Sequence, residues 1–266
     1  MPECITSRQN PSVRLAASLS DRKERESQGR FAFEGEKLFH EAISSKAPLL
    51  EVYAMGELAG MAEREAPPSC RVFSVTEQVY DRLSMDRSPD GIFCVCGRLD
   101  DLHTFGGYPP RGGMASGSKL ACVSVRDPGN IGTIIRSARA FGIDELILSS
   151  DCADIYNPKT VRAAMGALFS VRIHVSDDII SALASLSDAG YDTCAAVLRE
   201  GASRLGSVPR SEKRVYVVGN EGHGLPDDVI NACKSTVFIP MEPGSESLNA
   251  AMAATVLMWD GYSGQR

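Results

Sequence analysis

The second half of the chain alternates short apolar runs with segments in which apolar residues recur every three or four positions. Several runs are apolar throughout, which is typical of strands buried on both faces of a parallel sheet. The predicted strands span residues 120–125, 145–149, 171–175, 191–197, 214–218 and 236–239. The segments between them predict helices, notably over residues 131–141, 179–187 and 248–259. This alternation predicts an α/β domain of the doubly wound kind.

The first half has a different pattern. Residues 33–45 predict a helix, and residues 49–55, 71–75 and 91–96 predict strands. Residues 99–118 contain glycine and proline pairs and little that could build a core, a composition typical of a flexible connector. The sequence therefore predicts a small α/β domain over residues 1–98, a Gly/Pro-rich linker over residues 99–118 and the larger domain over residues 119–266.

Composition and cysteine spacing limit the class of protein and its cell compartment. The chain has 266 residues, of which 43% are hydrophobic and 23% charged, as is ordinary for a soluble globular protein. No apolar run approaches the roughly 20 residues of a membrane span, and the N-terminus lacks the pattern of a secretory signal. The only close cysteine pair is Cys94 and Cys96, inside a predicted strand. This spacing favours reduced buried thiols over a zinc site or a disulfide framework, and predicts a cytosolic protein without a metal site.

The net charge of −6 argues against a protein that coats nucleic acid through its overall field. Local clusters matter more, because particular Lys and Arg side chains make phosphate contacts. The clearest cluster is interleaved with acids and is therefore typical of a solvated helix face. It comprises Arg22, Lys23, Arg25 and Arg30.

A first polar segment follows the predicted strand at 120–125. The turn at residues 127–130 leads into a helix, and Asn130 suits the position of its N-cap. Arg136 lies one and a half turns further on, away from the apolar stripe, and its fork of donors suits a phosphate. The plainer alternative is a capped helix with a solvated arginine.

Two further polar segments also stand where predicted strands end. Residues 219–224 place Glu221 among three glycines, which allow close approach of the backbone to a ligand. Residues 239–241 end the last predicted strand, and residues 247–249 begin the last predicted helix. Ser247 is there either an N-cap or a functional residue. Because ligands bind at the carboxyl ends of parallel strands, the three segments together predict a small-molecule pocket.

These three segments resemble the three motifs of the SpoU (TrmH-like) RNA ribose methyltransferases of the SPOUT class. Residues 157–169 resemble the family's pattern between motifs, and residues 29–36 resemble its substrate-binding domain. The resemblance implies that the parallel sheet carries a trefoil knot and that the N-terminal domain is a small, L30e-like α/β unit that binds RNA. It also implies a homodimer whose active sites draw on both subunits, with no membrane partner.

The activity implied is the S-adenosylmethionine-dependent methylation of an RNA ribose 2′-hydroxyl, with ribosomal RNA favoured over transfer RNA. The resemblance assigns eight residues to the site. The catalytic group is Asn130, Arg136, Glu221, Ser247 and Asn249, and the cofactor-binding group is Gly219, Ile239 and Leu248. An arginine is a poor base because its guanidinium keeps its proton throughout the physiological pH range. We therefore interpret Arg136 as a phosphate ligand that orients the hydroxyl, with Asn130 and Ser247 positioning it.

Three alternatives remain at this point. The first is a transfer RNA ribose methyltransferase. The second is a non-catalytic RNA-binding or ribosome assembly factor on the same fold, which predicts the loss of polar motif residues that are all present here. The third is a dinucleotide-dependent oxidoreductase, which predicts a glycine-rich fingerprint after the first strand of the sheet. Residues 127–130 lack that fingerprint.

Overall fold

The computed structural model describes residues 2–85, 90–111, 113–209, 211 and 213–263. The chain forms two compact units. The N-terminal unit consists of Met1–Asp100 and Asp154–Phe169, and the C-terminal unit consists of Asp101–Ala153 and Ser170–Arg266. The first boundary falls inside the segment predicted as a linker. Residues 154–169, which the sequence pattern assigned to the C-terminal domain, fold with the N-terminal unit instead.

The strands and helices are numbered in chain order. The strands are β1 (Glu3–Ile5), β2 (Arg30–Glu34), β3 (Leu49–Ala54), β4 (Arg71–Val75), β5 (Ile92–Gly97), β6 (His103–Gly106), β7 (Lys119–Cys122), β8 (Glu145–Ser149), β9 (Arg172–Ser176), β10 (Asp192–Ala196), β11 (Ser203–Arg204), β12 (Arg214–Val218) and β13 (Ser235–Phe238). The helices are α1 (Pro11–Ser18), α2 (Arg22–Gln28), α3 (Glu36–Ser44), α4 (Gly56–Glu65), α5 (Glu77–Leu83), α6 (Pro128–Ala140), α7 (Pro158–Ala164), α8 (Ile179–Asp188), α9 (Asp227–Asn231) and α10 (Ala250–Ser263). A 3₁₀ helix spans Met165–Phe169.

In the described part of the N-terminal unit, five strands form a mixed sheet in the order β1-β4-β3-β5-β2. The predicted strands at 49–55, 71–75 and 91–96 correspond to β3, β4 and β5. The predicted helix at 33–45 begins later, at Glu36, because residues 30–34 form β2 and pair antiparallel with β5. Gly35 separates strand from helix with a φ of +108°, a conformation that glycine adopts without a steric penalty.

Buried contacts explain why residues 154–169 belong to the N-terminal unit. Arg25 is only 4% exposed, donates to the carbonyl of Leu19 at 2.8 Å and forms an ion pair with Asp154 at 2.6 Å. The expectation that Arg25 lies on a solvated face is therefore wrong, because backbone carbonyls and a carboxylate bind the two terminal nitrogens of its guanidinium inside the unit. The ring of Tyr156 stacks on Phe31 with centroids 4.6 Å apart. These contacts fix the returning segment against α2 and β2.

In the C-terminal unit the described residues form a sheet of eight strands, in the order β11-β13-β10-β12-β7-β8-β9-β6. Every neighbouring pair in it is parallel. The parallel sheet predicted from the apolar runs is thus confirmed. Because β10, β12, β7 and β8 are neighbours, the loops after their carboxyl ends meet at one edge, where the polar segments lie. The trefoil knot stays a prediction of the resemblance.

Part of the predicted linker is built into this sheet. Residues 103–106 form β6, an edge strand that pairs with β9. Further along, Tyr108 is buried and its hydroxyl donates to Glu145 at 3.0 Å. Lys119 is also buried and pairs with the same carboxylate at 2.7 Å. A four-residue strand among glycines gives little periodic signal, so composition alone suggested a connector here.

The bond from Tyr108 leads to a prediction about stability. Replacing Tyr108 by phenylalanine should lower the free energy of unfolding by about 1.5 kcal/mol, because a hydrogen bond to a buried carboxylate is lost. Chemical denaturation measures the change. The matched control is Tyr191→Phe, which removes a bond of 3.2 Å to the neutral carbonyl of Ala115 and should cost about half as much. Equal stability of Tyr108→Phe and the unaltered protein would contradict the prediction.

Within the described residues, the structure contains no helix that is both long and apolar enough to cross a membrane.

Candidate functional site

A cavity of about 620 Å³ opens at the carboxyl edge of the C-terminal sheet. Its walls come from the loops after β10, β12 and β13 and from the first turn of α10. This volume lies within the range of small-molecule sites. Five residues that the sequence assigned to the site line it, namely Gly219, Glu221, Ile239, Ser247 and Leu248. A pocket is therefore present at the predicted edge, with two of the three predicted segments in its wall; residues 127–130 do not line it in the described structure.

The loop after β12 is closed tightly on itself. The backbone N–H of Gly224 donates to the carbonyl of Asn220 at 2.9 Å, and the Asn220 side chain accepts from the N–H of Gly222 at 2.8 Å. A Cβ on Gly219 would lie 2.7 Å from the backbone nitrogen of Leu225 and closer still to the Gly224 carbonyl. The sequence therefore needs glycine at 219, because no side chain fits between the two arms of the loop.

Three of the predicted polar residues form a hydrogen-bonded chain. The amide of Asn249 donates to the side-chain oxygen of Asn130 at 3.0 Å, and the Asn130 amide donates to the Glu221 carboxylate. Each residue comes from a different polar segment. Asn130 and Asn249 do not line the cavity in the described structure, but these hydrogen bonds connect them to Glu221, which lies in the cavity wall. A carboxylate fixed in this way can face a cation or accept a hydrogen bond.

Two helix caps differ from the sequence-based expectation. The N-cap of α6 is Asp127, whose carboxylate accepts from the backbone N–H of Asn130 at 2.8 Å. Asn130 therefore lies in the first turn, and its side chain is available to the polar chain. At α10 the side chain of Asn249 accepts from the N–H of Ala251 at 2.9 Å, so Asn249 caps this helix rather than Ser247. Both shifts arise because several nearby residues can cap equally well.

Arg136 is exposed on α6 and does not line the cavity in the described structure. It follows Asn130 by six residues, which places it about 120° around the helix from Asn130. Among the residues that the structure describes, Arg136 has neither a hydrogen-bond nor an ion-pair partner. The fold of one chain therefore groups Asn130, Glu221 and Asn249 but leaves Arg136 on an outer face.

The loop after β10 also lines the cavity, through residues 196–199. The sequence analysis missed it because this segment has no glycine cluster and follows β10 without a recognisable motif. The strand order reveals it, since β10 is the neighbour of β12. Arg199 forms an ion pair with Asp227, the first residue of α9, across this part of the rim. His223 is exposed on the cavity wall.

One carboxylate near the site has a perturbed pKa. Partial burial opposes the charge of Asp151, but hydrogen bonds from the hydroxyls of Ser124 and Ser149, both at 2.6 Å, outweigh it. Arg126 adds an ion pair at 3.2 Å. The net effect lowers the pKa of Asp151 below its ordinary value, so this side chain is ionised at neutral pH.

Comparison with known proteins agrees with these features. Residues 118–259 match the model of the SpoU rRNA Methylase family, and residues 10–94 match the MRM3-like substrate binding domain. The 23S rRNA (guanosine(2553)-2′-O)-methyltransferase RlmP of Bacillus subtilis is 30% identical, over 96% of this chain and 97% of its own length.

Two solved structures are similar over almost the whole chain. A putative RNA methyltransferase of the TrmH family from Porphyromonas gingivalis has a TM-score of 0.84 and 27% identity, with 96% of this chain and 98% of that chain covered. An rRNA methyltransferase from Sinorhizobium meliloti, solved with AdoMet bound, has a TM-score of 0.81 and 25% identity, with coverage of 99% and 98%. The chain therefore belongs to the SpoU rRNA methylase family.

Proposed function

We propose that the protein transfers a methyl group from S-adenosylmethionine to a ribose 2′-hydroxyl in ribosomal RNA. The observation that carries the proposal is the cavity with the Asn249–Asn130–Glu221 chain at its wall. The activity of the Bacillus relative, given in its name, supports ribosomal RNA as the substrate. The Sinorhizobium structure with AdoMet bound supports the cofactor.

The residues of the cavity fit S-adenosylmethionine. The tight loop at Gly219 exposes backbone rather than side chain to a ligand, and Ile239 and Leu248 offer apolar surface for a flat ring. Glu221 supplies a carboxylate in the wall, which suits a ligand that carries positive charge. When bound, the sulfonium of this cofactor supplies a methyl group that is already activated. The protein's own task is then to align the acceptor hydroxyl and assist the departure of its proton.

In our proposal, each polar residue has a separate role in this alignment. Asn130 and Asn249 hold the Glu221 carboxylate in one orientation. Ser247, on the cavity wall, positions the target ribose. Arg136 binds an RNA phosphate with its guanidinium fork and orients the hydroxyl. The N-terminal unit selects the RNA by its shape and loops, as is usual for RNA-binding domains.

We also propose that the active protein is a homodimer. One side of α10 exposes an apolar stripe at helical spacing, formed by Met252, Val256 and Trp259. Met252 is 60% exposed, and contiguous apolar surface of this kind marks interaction sites. Helix α6 packs against α10, with the Phe141 and Trp259 rings 5.8 Å apart. A second subunit on this stripe would therefore meet the helix that carries Arg136.

A charge in the stripe tests the dimer. Met252→Glu should convert the protein to a monomer in size-exclusion chromatography with light scattering, because pairing would bury an unpaired carboxylate. The control is Leu15→Glu, which alters a leucine on α1 that is 55% exposed and lies outside the stripe. A monomeric unaltered protein, or a dimer that survives Met252→Glu, would refute the proposed interface.

The reaction is tested by the transfer of labelled methyl from S-adenosylmethionine to purified ribosomal and transfer RNA. We expect label in ribosomal RNA, recovered as alkali-resistant 2′-O-methyl dinucleotides. Label confined to transfer RNA would change the proposed substrate, and failure to bind the cofactor would favour the non-catalytic factor.

All eight cysteines lie in the described part of the chain as free thiols, in keeping with the cytoplasmic location that we propose.

A further inference from the structure

A second polar cluster lies where β7 and β8 end. It consists of Ser124, Ser149 and Asp151, none of which lines the cavity in the described structure. Ser149 donates its hydroxyl proton to one carboxylate oxygen of Asp151, and Ser124 donates to the other, both at 2.6 Å. The oxygen of Ser149 then accepts from the backbone N–H of Ser124 at 2.9 Å. The carboxylate thus sets the direction of both hydroxyl groups.

Ser124 is held in an unusual backbone conformation. Its φ is +56°, in the left-handed region that residues other than glycine adopt infrequently. Such a conformation persists when surrounding contacts determine it. Here the contacts are the hydroxyl bond to Asp151 and the N–H bond to Ser149. The loop after β7 therefore depends on the residues after β8 for its shape.

The cluster is connected to the cavity through Asn220. The side chain of Asn220 donates to the carbonyl of Ser124 at 3.0 Å. The same side chain accepts from the N–H of Gly222, and its backbone carbonyl accepts from Gly224. The Ser124 carbonyl is thereby joined through Asn220 to the loop at 219–224 in the cavity wall.

We propose that Asp151 is a positioning residue, which fixes the cofactor loop at 219–224 through Ser124 and Asn220. This inference rests on the proposed binding of S-adenosylmethionine in the cavity. It requires a carboxylate at 151, since an asparagine has one oxygen and one NH₂ group. With asparagine, only one hydroxyl can still donate to residue 151, and the other must turn its proton away and accept from the NH₂ group instead.

The ion pair between Asp151 and Arg126 does not explain the arrangement by itself. The Arg126 side chain is 72% exposed, and surface ion pairs of this kind contribute little. The variant Arg126→Gln removes the ion pair and leaves the two serine bonds in place. It should leave cofactor affinity unchanged, which separates the ion pair from the serine contacts.

The test compares Asp151→Asn with a matched control, Asp178→Asn. Asp178 also accepts from a serine hydroxyl, that of Ser181 at 2.6 Å, but it caps α8 and does not line the cavity in the described structure. Calorimetric titration with S-adenosylmethionine measures affinity, and steady-state kinetics measure KM for the cofactor and for RNA. Hydrogen exchange measures protection of the amides at 219–225 without any ligand.

We expect Asp151→Asn to weaken cofactor binding about five-fold to ten-fold, because a hydrogen bond to a charged carboxylate is replaced by a weaker neutral bond of reversed direction. The KM for the cofactor should rise by the same factor, the KM for RNA should stay unchanged, and the amides of Gly222 and Gly224 should exchange faster. Asp178→Asn should change none of these. Ser124→Ala removes one hydroxyl alone, and its effect should not add to that of Asp151→Asn.

Two results would overturn the inference: unchanged affinity and exchange in Asp151→Asn, or an equal loss in Asp178→Asn. If the unaltered protein fails to bind S-adenosylmethionine, the proposed function is wrong. The exchange of the 219–225 amides then still decides the role of Asp151, because it requires no ligand.

Discussion

Replacing Arg136 by alanine is expected to lower the turnover number for methyl transfer about a thousand-fold, the upper range for removing one electrostatic contact to a reacting group. Cofactor affinity should stay within about two-fold, because Arg136 does not line the cavity in the described structure. The loss should therefore appear in kcat and in the KM for RNA. Single-turnover kinetics with saturating S-adenosylmethionine measure the rate of methyl transfer, and calorimetric titration measures the affinity for the cofactor.

Two further variants sharpen this prediction. Arg139→Ala alters another exposed arginine on the same helix and should leave turnover within about three-fold of normal. Arg136→Lys keeps the positive charge but loses the planar fork of donors, so most of the loss should remain. Near-normal turnover in Arg136→Lys would exclude a role that depends on bidentate geometry. A large loss of cofactor affinity in Arg136→Ala would place this residue in the cavity instead.

Local sequence patterns predicted six of the eight strands that the structure describes in the sheet of the C-terminal unit, and missed β6 and β11. The runs at 145–149 and 214–218 are β8 and β12, because each is apolar and ends at a polar turn. The same strand ends identified most of the cavity wall. Since the carboxyl ends of parallel strands share one edge, the polar segments were expected to meet, and the chain from Asn249 through Asn130 to Glu221 joins them.

Features that depend on contacts between residues far apart in the sequence could not be predicted from local patterns. Residues 154–169 belong to the N-terminal unit through the Arg25–Asp154 ion pair and the Phe31–Tyr156 stack, which join positions more than a hundred residues apart. The loop after β10 lines the cavity because β10 is the neighbour of β12, and strand order does not follow from periodicity. The role of Arg136 was inferred from a resemblance, and its place on an outer face of α6 is why we connect it to a second subunit.

Replacing Gly219 by alanine is expected to weaken S-adenosylmethionine binding by up to about a hundred-fold. The new Cβ would lie 2.7 Å from the backbone nitrogen of Leu225, so one arm of the loop must move. Forcing a methyl group into such a close approach costs up to about 3 kcal/mol, which corresponds to roughly a hundred-fold in affinity. Calorimetric titration measures the affinity, and thermal unfolding confirms that the variant is folded.

The control for this prediction is Gly222→Ala in the same loop. A Cβ at that position would lie 3.4 Å from the Asn220 side-chain oxygen, an ordinary contact, and should change affinity less than about three-fold. A comparable loss in both variants would mean that the loop needs glycine for its flexibility rather than for the close approach at 219. Normal affinity in Gly219→Ala would show that the loop can move without harm, and would take the cofactor contact away from Gly219. A selective loss in Gly219→Ala would instead mean that the cavity binds its ligand only while the two arms of the loop stay in contact.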